Sequence, residues 1–355
     1  MKARLLTGDC LERLRELPDA SVAAVVTDPP YGLGFMGKAW DHAVPSADVW
    51  REVLRVLRPG GHMAAFFGSR TYHRGAVAIE DAGFEVRDQL MWIYGSGFPK
   101  SLDVSKAIDK AAGAEREVLS TRRVQDIRGG KYNSADSYTE HAITAPATAA
   151  ARQWSGWGTA LKPAHEPIVL ARKPLQGTVA ANVLAHGTGA INVEACRIPA
   201  SDKTPAPVGK FGRTYSLGPS GFTGERDGSA DGLGRWPANV THDGSDEATE
   251  RFGDAARFFY SPKADAEDRN EGLPRDMRNT HPTVKPVDLM RWLVRLITPP
   301  GALVLDPFMG SGSTGKAALL DGFDFIGVDL DPKHVAIAEA RLRNAGGLFV
   351  EIEVG

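Results

Sequence analysis

Between Ala302 and Asp329 the chain sets out a complete strand–turn–helix–strand unit, and that unit limits the fold more than any other stretch. Ala302-Leu303-Val304-Leu305 is a short apolar run of the buried-strand type, Gly310-Ser311-Gly312-Ser313-Thr314-Gly315 follows it, and Phe325-Ile326-Gly327-Val328 is the next apolar run. Two such strands joined by a helix belong to a mostly parallel sheet with helices on its faces. The glycines let backbone approach a ligand, and the helix start offers free N–H groups. Asp329, nineteen residues beyond Gly310, stands where an acidic side chain can hydrogen-bond ribose hydroxyls. The stretch therefore reads as half of a nucleoside-cofactor site. A dinucleotide-dependent oxidoreductase shares this fingerprint, but only 40 residues follow Gly315, too few for a complete dinucleotide domain in the usual order.

A second unusual turn lies near the start of the chain. The apolar run Val22-Ala23-Ala24-Val25-Val26 stops at Thr27-Asp28-Pro29-Pro30-Tyr31. Consecutive prolines fix φ and donate no hydrogen bond, so the carbonyls around them stay free to accept. Asp28 adds a carboxylate and Tyr31 a flat ring, a combination suited to gripping a planar aromatic amine. Phe35, Met36 and Trp40 follow among Gly32, Gly34 and Gly37, and this mixture of sticky and flexible residues suggests a lid over a substrate.

The remaining sequence is ordered around these two turns. Residues 1–100 alternate strand and helix: a strand at Arg4–Thr7, helical spacing of Leu11, Leu14 and Leu17, a helix carrying Trp50, Val53, Leu54 and Leu57 that ends at Arg58-Pro59-Gly60-Gly61, a strand at Met63–Gly68, a helix near Tyr72–Ala82 and a strand near Val86–Tyr94. Residues 101–160 loosen into an insertion, and 161–173 return a core strand at Ile168-Val169-Leu170-Ala171. Residues 174–255, rich in Gly, Pro, Ser and Thr, form a second, loop-rich insertion suited to contacting a partner. Residues 256–355 resume the core, with a strand at Arg257–Tyr260, the unit described above, a helix from Lys333 to Arg343 and a last strand at Leu348–Val350.

Composition narrows the class. No apolar run approaches the ~20 residues of a membrane span, and Asp9 and Glu12 follow too soon after Met1 for a signal sequence. A cytoplasmic protein is expected. Cys10 and Cys196 are the only cysteines, too few for a disulfide framework, and the His and Cys residues show no metal-ligand spacing, so no metal is expected. The net charge is −2, but Lys100–Lys173 holds twelve Lys/Arg against eight Asp/Glu. That +4 stretch leaves −6 for the remainder and provides a modest footprint for phosphates.

Taken together, Asp28-Pro29-Pro30-Tyr31 and Asp306-Pro307-Phe308-Met309-Gly310-Ser311-Gly312 resemble the motif pair of the S-adenosylmethionine-dependent DNA amino-methyltransferases, in the circularly permuted order of the β group. Gly8-Asp9, Arg58-Pro59-Gly60-Gly61, Phe259-Tyr260-Ser261-Pro262-Lys263 and His281-Pro282-Thr283-Val284-Lys285-Pro286 extend the likeness over most of the chain. The resemblance implies a Rossmann-like methyltransferase fold: α/β, a mostly parallel seven-stranded sheet with helices on both faces, plus loop-rich insertions that hold target recognition. It implies S-adenosylmethionine as cofactor, surrounded by Asp306, Pro307, Phe308, Gly310, Gly312, Ser313 and Thr314 at the methionine end. Asp329 would meet the ribose, Asp9 the adenine amine, and His281, Thr283 and Lys285 would close the pocket. Asp28, Pro29, Pro30 and Tyr31 would hold the exocyclic amine of a base flipped from double-stranded DNA, with Phe35, Met36 and Trp40 covering it. An Asp in first motif position leans toward adenine N6 over cytosine N4. RNA and protein glutamine are more distant substrate classes; a cytoplasmic protein of bacterial or phage type is expected, with an oligomer such as a dimer left open.

Overall fold

A computed structural model describes residues 1–34, 41–95, 97, 101–125, 138–198, 235–250, 252, 256, 268–347 and 350–355. The chain divides into two compact units, one made of Met1–Gly95 with His165–Gly355 and one of Ser96–Ala164.

The larger unit is built on one sheet. Its strands are β1 (Lys2–Thr7), β2 (Val22–Thr27), β3 (Leu57–Phe66), β4 (Glu85–Ile93), β7 (His165–Arg172), β8 (Val240–His242), β9 (Leu303–Asp306), β10 (Asp324–Asp329) and β11 (Glu351–Val354). The spatial order is β11-β1-β10-β9-β2-β3-β7-β4-β8. Every pairing is parallel except those of β7, which runs against both β3 and β4. The seven strands from β1 to β4 in that order form the methyltransferase-type sheet, and β11 and β8 extend it by one short strand at each edge.

Helices cover both faces because the strands are apolar on both. Every residue of β2 is buried. On one side, Ala24 and Val26 join a core with α8 (Val287–Ile297), α9 (Ser313–Leu320) and α10 (Pro332–Gly346). On the other, Val22 and Val25 join Leu14, Trp50, Val53 and Ile79 from α1 (Cys10–Arg15), α2 (Ala47–Val56) and α3 (Tyr72–Asp81). Trp50, fully buried, packs edge-on against Phe67 and Phe308. Burying such a ring supplies much of the apolar driving force of a core.

Several element limits differ from the sequence expectation. The Pro59-Gly60-Gly61 turn does not precede β3 but is absorbed into it, since Val22 pairs with Leu57 and Ala24 already pairs with His62. The last strand is Glu351–Val354 rather than Leu348–Val350. It is an edge strand with Lys2 and Arg4 facing Glu351 and Glu353, so it alternates charge and apolar residue and escapes a search for apolar runs. Within 174–255, α6 (Val179–His186) is capped by Thr178 and ends on Gly187 at φ +72°. Its Asn182, fully buried, donates to the carbonyls of Pro59 and Thr188, and β8 pairs with β4. The glycines around these elements had masked them. The expected strand at Arg257–Tyr260 and the Phe259–Lys263 motif lie outside the described residues.

The smaller unit contains α4 (Val104–Ala111), the antiparallel pair β5 (Val118–Gln125) and β6 (Tyr138–Thr144), and α5 (Ala149–Gln153). Its polar centre is Asp109, fully buried, whose carboxylate accepts from Arg116 at 2.7 Å, from the Ala147 N–H at 2.9 Å and from the Thr148 hydroxyl at 2.8 Å. A buried carboxylate is tolerable only when its lone pairs are filled in this way.

Candidate active site

Strands β2 and β9 are neighbours in the middle of the sheet, with Ala24 opposite Val304 and Val25 opposite Leu305. To one side of this pair the chain continues through β10 and β1, to the other through β3, so the seam is the point where strand order reverses. In open parallel sheets ligands bind outside the carboxyl ends of the strands at such a point. Both sequence-predicted turns leave the sheet there, because Asp28 follows β2 and Pro307 follows β9.

The two turns are tied together at the seam. Asp306, 2% exposed, accepts the Thr27 hydroxyl at 2.6 Å, the Thr314 hydroxyl at 2.6 Å and the Phe308 N–H at 3.0 Å. Burial raises its carboxyl to about 7, helped by the nearby Asp28 and opposed by those three donors. Its carboxylate is thus occupied in joining the end of β2 to the start of α9.

The glycine loop has the backbone geometry its sequence demands. Gly310 has φ +52° and Gly312, at the start of α9, φ +80°, a region open to glycine at little cost. A Cβ on Gly310 would lie 2.8 Å from Nε2 of His281, so the absent side chain is what lets that ring pack over the loop. The Gly310 N–H donates to Oδ2 of Asp329 at 2.9 Å, while Oδ1 accepts from the Asp331 N–H at 2.9 Å.

Beside the loop is a cleft of about 300 Å³, lined among others by Asp28, His281, Thr283, Lys285, Phe308, Gly310, Ser313 and Thr314. Nδ1 of His281, a residue of the cleft wall, is buried with no hydrogen-bond partner among the described residues. Burial and the adjacent His334 hold that imidazole down to about 4, so it is neutral near pH 7.

Asp28, Tyr31 and Lys285 form one cluster with Glu166. Lys285, 7% exposed, donates to Oδ2 of Asp28 at 2.5 Å and lies 3.2 Å from Oε2 of Glu166. The Tyr31 hydroxyl lies 2.8 Å from Oδ1 of Asp28 and 2.9 Å from Oε2 of Glu166, and accepts from Lys285 at 3.1 Å. Burial, then Asp28 and Glu166, push the Tyr31 phenol well above its ordinary range. Burial opposes the Lys285 charge, but the same two carboxylates outweigh it and leave the ammonium raised.

The sequence profile of the DNA methylase family matches residues 22–340. The chain belongs to the DNA methylase family. M.HindIII of Haemophilus influenzae, a type II methyltransferase, is 23% identical over 95% of this chain and 94% of its own. M.XycI of Xanthomonas campestris pv. cyanopsidis is 31% identical over 112 residues, 28% of this chain and 37% of that protein. Among solved structures, the cytosine-N4-specific PvuII DNA methyltransferase has the same fold, with a TM-score of 0.52 and 15% identity over 99% of this chain and 95% of that one. The methyl donor of the family is S-adenosylmethionine.

In this methylase the structure brings together Asp28, His281, Thr283, Lys285, Asp306, Phe308, Gly310, Ser313 and Thr314 around one cleft. Asp9 and Asp329 stand apart from that cleft at the ends of neighbouring β1 and β10, where the Gly8 N–H donates to the Asp329 carbonyl. Asp9 caps α1 through the N–H groups of Leu11 and Glu12. Pro29, Pro30, Pro307 and Gly312 shape the two turns without lining the cleft. Phe35, Met36 and Trp40 lie outside the described residues.

Two partners in the site were not singled out from sequence. Glu166 reaches it because β7 is reversed, which puts the beginning of that strand at the edge where β2, β3 and β9 end. Asp41, 2% exposed, accepts the N–H groups of Tyr31 at 2.7 Å and Gly32 at 2.9 Å and folds the chain back after the double proline. Glu166 had one weak signal, a carboxylate directly before an apolar strand. Asp41 had none beyond following the glycine-rich loop.

Proposed function

We propose that this methylase modifies the exocyclic amine of a base flipped out of double-stranded DNA, with adenine N6 as the target. The observation that carries the reading is that Asp28 and the Gly310 loop leave adjacent parallel strands and face one cleft. Bound there, S-adenosylmethionine would supply an electrophilic methyl group on its sulfonium sulfur for attack by the amine nitrogen.

The chain's own residues hold the two reactants in line. Phe308, Gly310, Ser313 and Thr314 cradle the methionine end, with Pro307 and Gly312 shaping the loop, and His281 and Thr283 close over it. His281 is neutral, and its Nδ1, without a partner among the described residues, is offered to the cofactor. Asp329 and Asp9 face the nucleoside end. Asp28 and the Pro29 carbonyl accept the amine hydrogens, which localises the nitrogen lone pair and stabilises positive charge as the methyl arrives. Pro30 holds that carbonyl's direction, and Tyr31 presents its ring to the base. An amine inside a duplex cannot reach this edge of the sheet, so the nucleotide swings out at a cost of a few kcal/mol, recovered by stacking and edge hydrogen bonds.

The adenine assignment is supported by Asp rather than Ser at position 28. Residues 174–255 are assigned to target recognition, with 1–100 and 256–355 as the catalytic and cofactor halves. The deciding experiment is mass spectrometry of nucleosides from unmethylated DNA incubated with the protein and S-adenosylmethionine. N6-methyladenine is the expected product; N4-methylcytosine alone would move the target to cytosine, and no methylated nucleoside would reject a DNA substrate.

A further inference from the structure

The cluster around Asp28 poses a difficulty for the reaction just described. Both carboxylate oxygens of Asp28 are engaged, Oδ1 by the Tyr31 hydroxyl at 2.8 Å and Oδ2 by Lys285 at 2.5 Å. A carboxylate can accept more than one hydrogen per oxygen, so crowding is not the main obstacle. Charge is: an ammonium resting on Asp28 neutralises the group that has to stabilise a cationic nitrogen, and in a water-poor cleft that loss is large.

A second seat for the ammonium is already built. Oε2 of Glu166 is 3.2 Å from the same Nζ, on a flexible four-carbon stem whose charged end lies 5.0 Å from the Phe66 ring centroid and 5.4 Å from that of Tyr31. The Tyr31 hydroxyl has one hydrogen and two carboxylate neighbours, so it serves Asp28 or Glu166 but not both. With Lys285 on Asp28, the hydroxyl is free to donate to Glu166. With Lys285 on Glu166, it is free to donate to Asp28, and Oδ2 is open.

Resting on the methyl-transfer reading above, we propose that Glu166 is a positioning residue: it draws the Lys285 ammonium off Asp28 as the target amine enters, leaving Oδ2 to accept the amine hydrogen. The ammonium holds the amine's place until the base arrives. No bond is made or broken in this step; one charge moves between two carboxylates that share it.

Charge accounting makes the proposal testable. The cluster carries −1 in the natural protein, 0 in Glu166→Gln, −2 in Lys285→Met, and −1 again in the double variant, where nothing has to leave Asp28. Tritiated methyl transfer from S-adenosylmethionine to unmethylated plasmid DNA gives kcat and KM, and calorimetric titration of the cofactor reports on folding. E166Q is expected to lower kcat on the order of 10²-fold, the penalty of a misplaced reacting group, with cofactor affinity retained. E166Q/K285M is expected to regain at least about tenfold of that loss, because removing the ammonium makes its second seat unnecessary. A role for Glu166 in packing alone predicts a double variant no better than E166Q, and that result overturns the proposal, as does full kcat in E166Q. Running the same cycle with Glu166→Ser covers a Gln variant that fails to fold. If the natural protein transfers no methyl to DNA while binding cofactor, the underlying functional reading fails instead.

Discussion

The Thr27 hydroxyl donates to Asp306 at 2.6 Å across the seam between β2 and β9, joining residues 279 apart in sequence. It is the direct link between the turn that presents Asp28 and the loop that carries Gly310. Replacing Thr27 by Val keeps the shape but takes away one of the two donors that Oδ1 of Asp306 has among the described residues. A buried acceptor deprived of a donor costs about 1–3 kcal/mol. Urea unfolding should show that loss in the midpoint with an unchanged slope.

Asp306 also sets a pH dependence of stability. Its folded pKa, about 7, lies above the ordinary aspartate value of 3.8, so between those values the native state binds more protons at this site than the unfolded chain does. Stability from this group is therefore full at low pH and falls as pH rises through the window. The difference is on the order of 4 kcal/mol. Asp306→Asn removes the titration, and the gap in unfolding free energy between variant and natural protein should shift in the variant's favour from pH 4 to pH 8. A pH-independent gap counts against the raised carboxyl.

Asp28→Asn retains size and removes charge. Because the carboxylate acts on charge that develops during transfer, kcat should fall by about 10²–10³-fold, while cofactor affinity measured by calorimetry stays close to that of the natural protein. An equal loss in cofactor affinity would place Asp28 with the cofactor.

Two glycines of the same loop should fail differently. In Gly310→Ala the new Cβ meets His281 at 2.8 Å from a backbone at φ +52°, straining the cleft wall by about 1–3 kcal/mol and weakening cofactor binding about tenfold or more. In Gly312→Ala the Cβ meets Cβ of Ala338 at 2.8 Å, from φ +80°, so α9 and α10 are pushed apart. Thermal unfolding should register the second change more strongly, and cofactor titration the first.

Much of the architecture was legible because local chemistry wrote it. Apolar runs of four to six residues bounded by turn residues read as buried strands, and a helix between them announces itself at Trp50 through 3.6-residue spacing. Asp28-Pro29-Pro30-Tyr31 and Gly310–Gly315 are legible for the same reason: prolines and glycines impose backbone geometry on themselves. Elements without such a local signature were missed. β11 alternates charge and apolar residue at a sheet edge, and α6 is hidden among turn residues.

What sequence could not supply is adjacency. Nothing local tells that β7 runs backwards, yet that reversal alone brings Glu166 to Tyr31 and Lys285. Nor does any motif say that Lys285 belongs with Asp28 as well as with the pocket closure, since a long, flexible cation finds its partner by where a carboxylate is, not by its neighbours in the chain. The sequence by itself determined the buried central strands, the two rigid turns and the family they resemble. Strand order and direction, which depend on how apolar faces pack over the whole sheet, decided which charges meet at its edge.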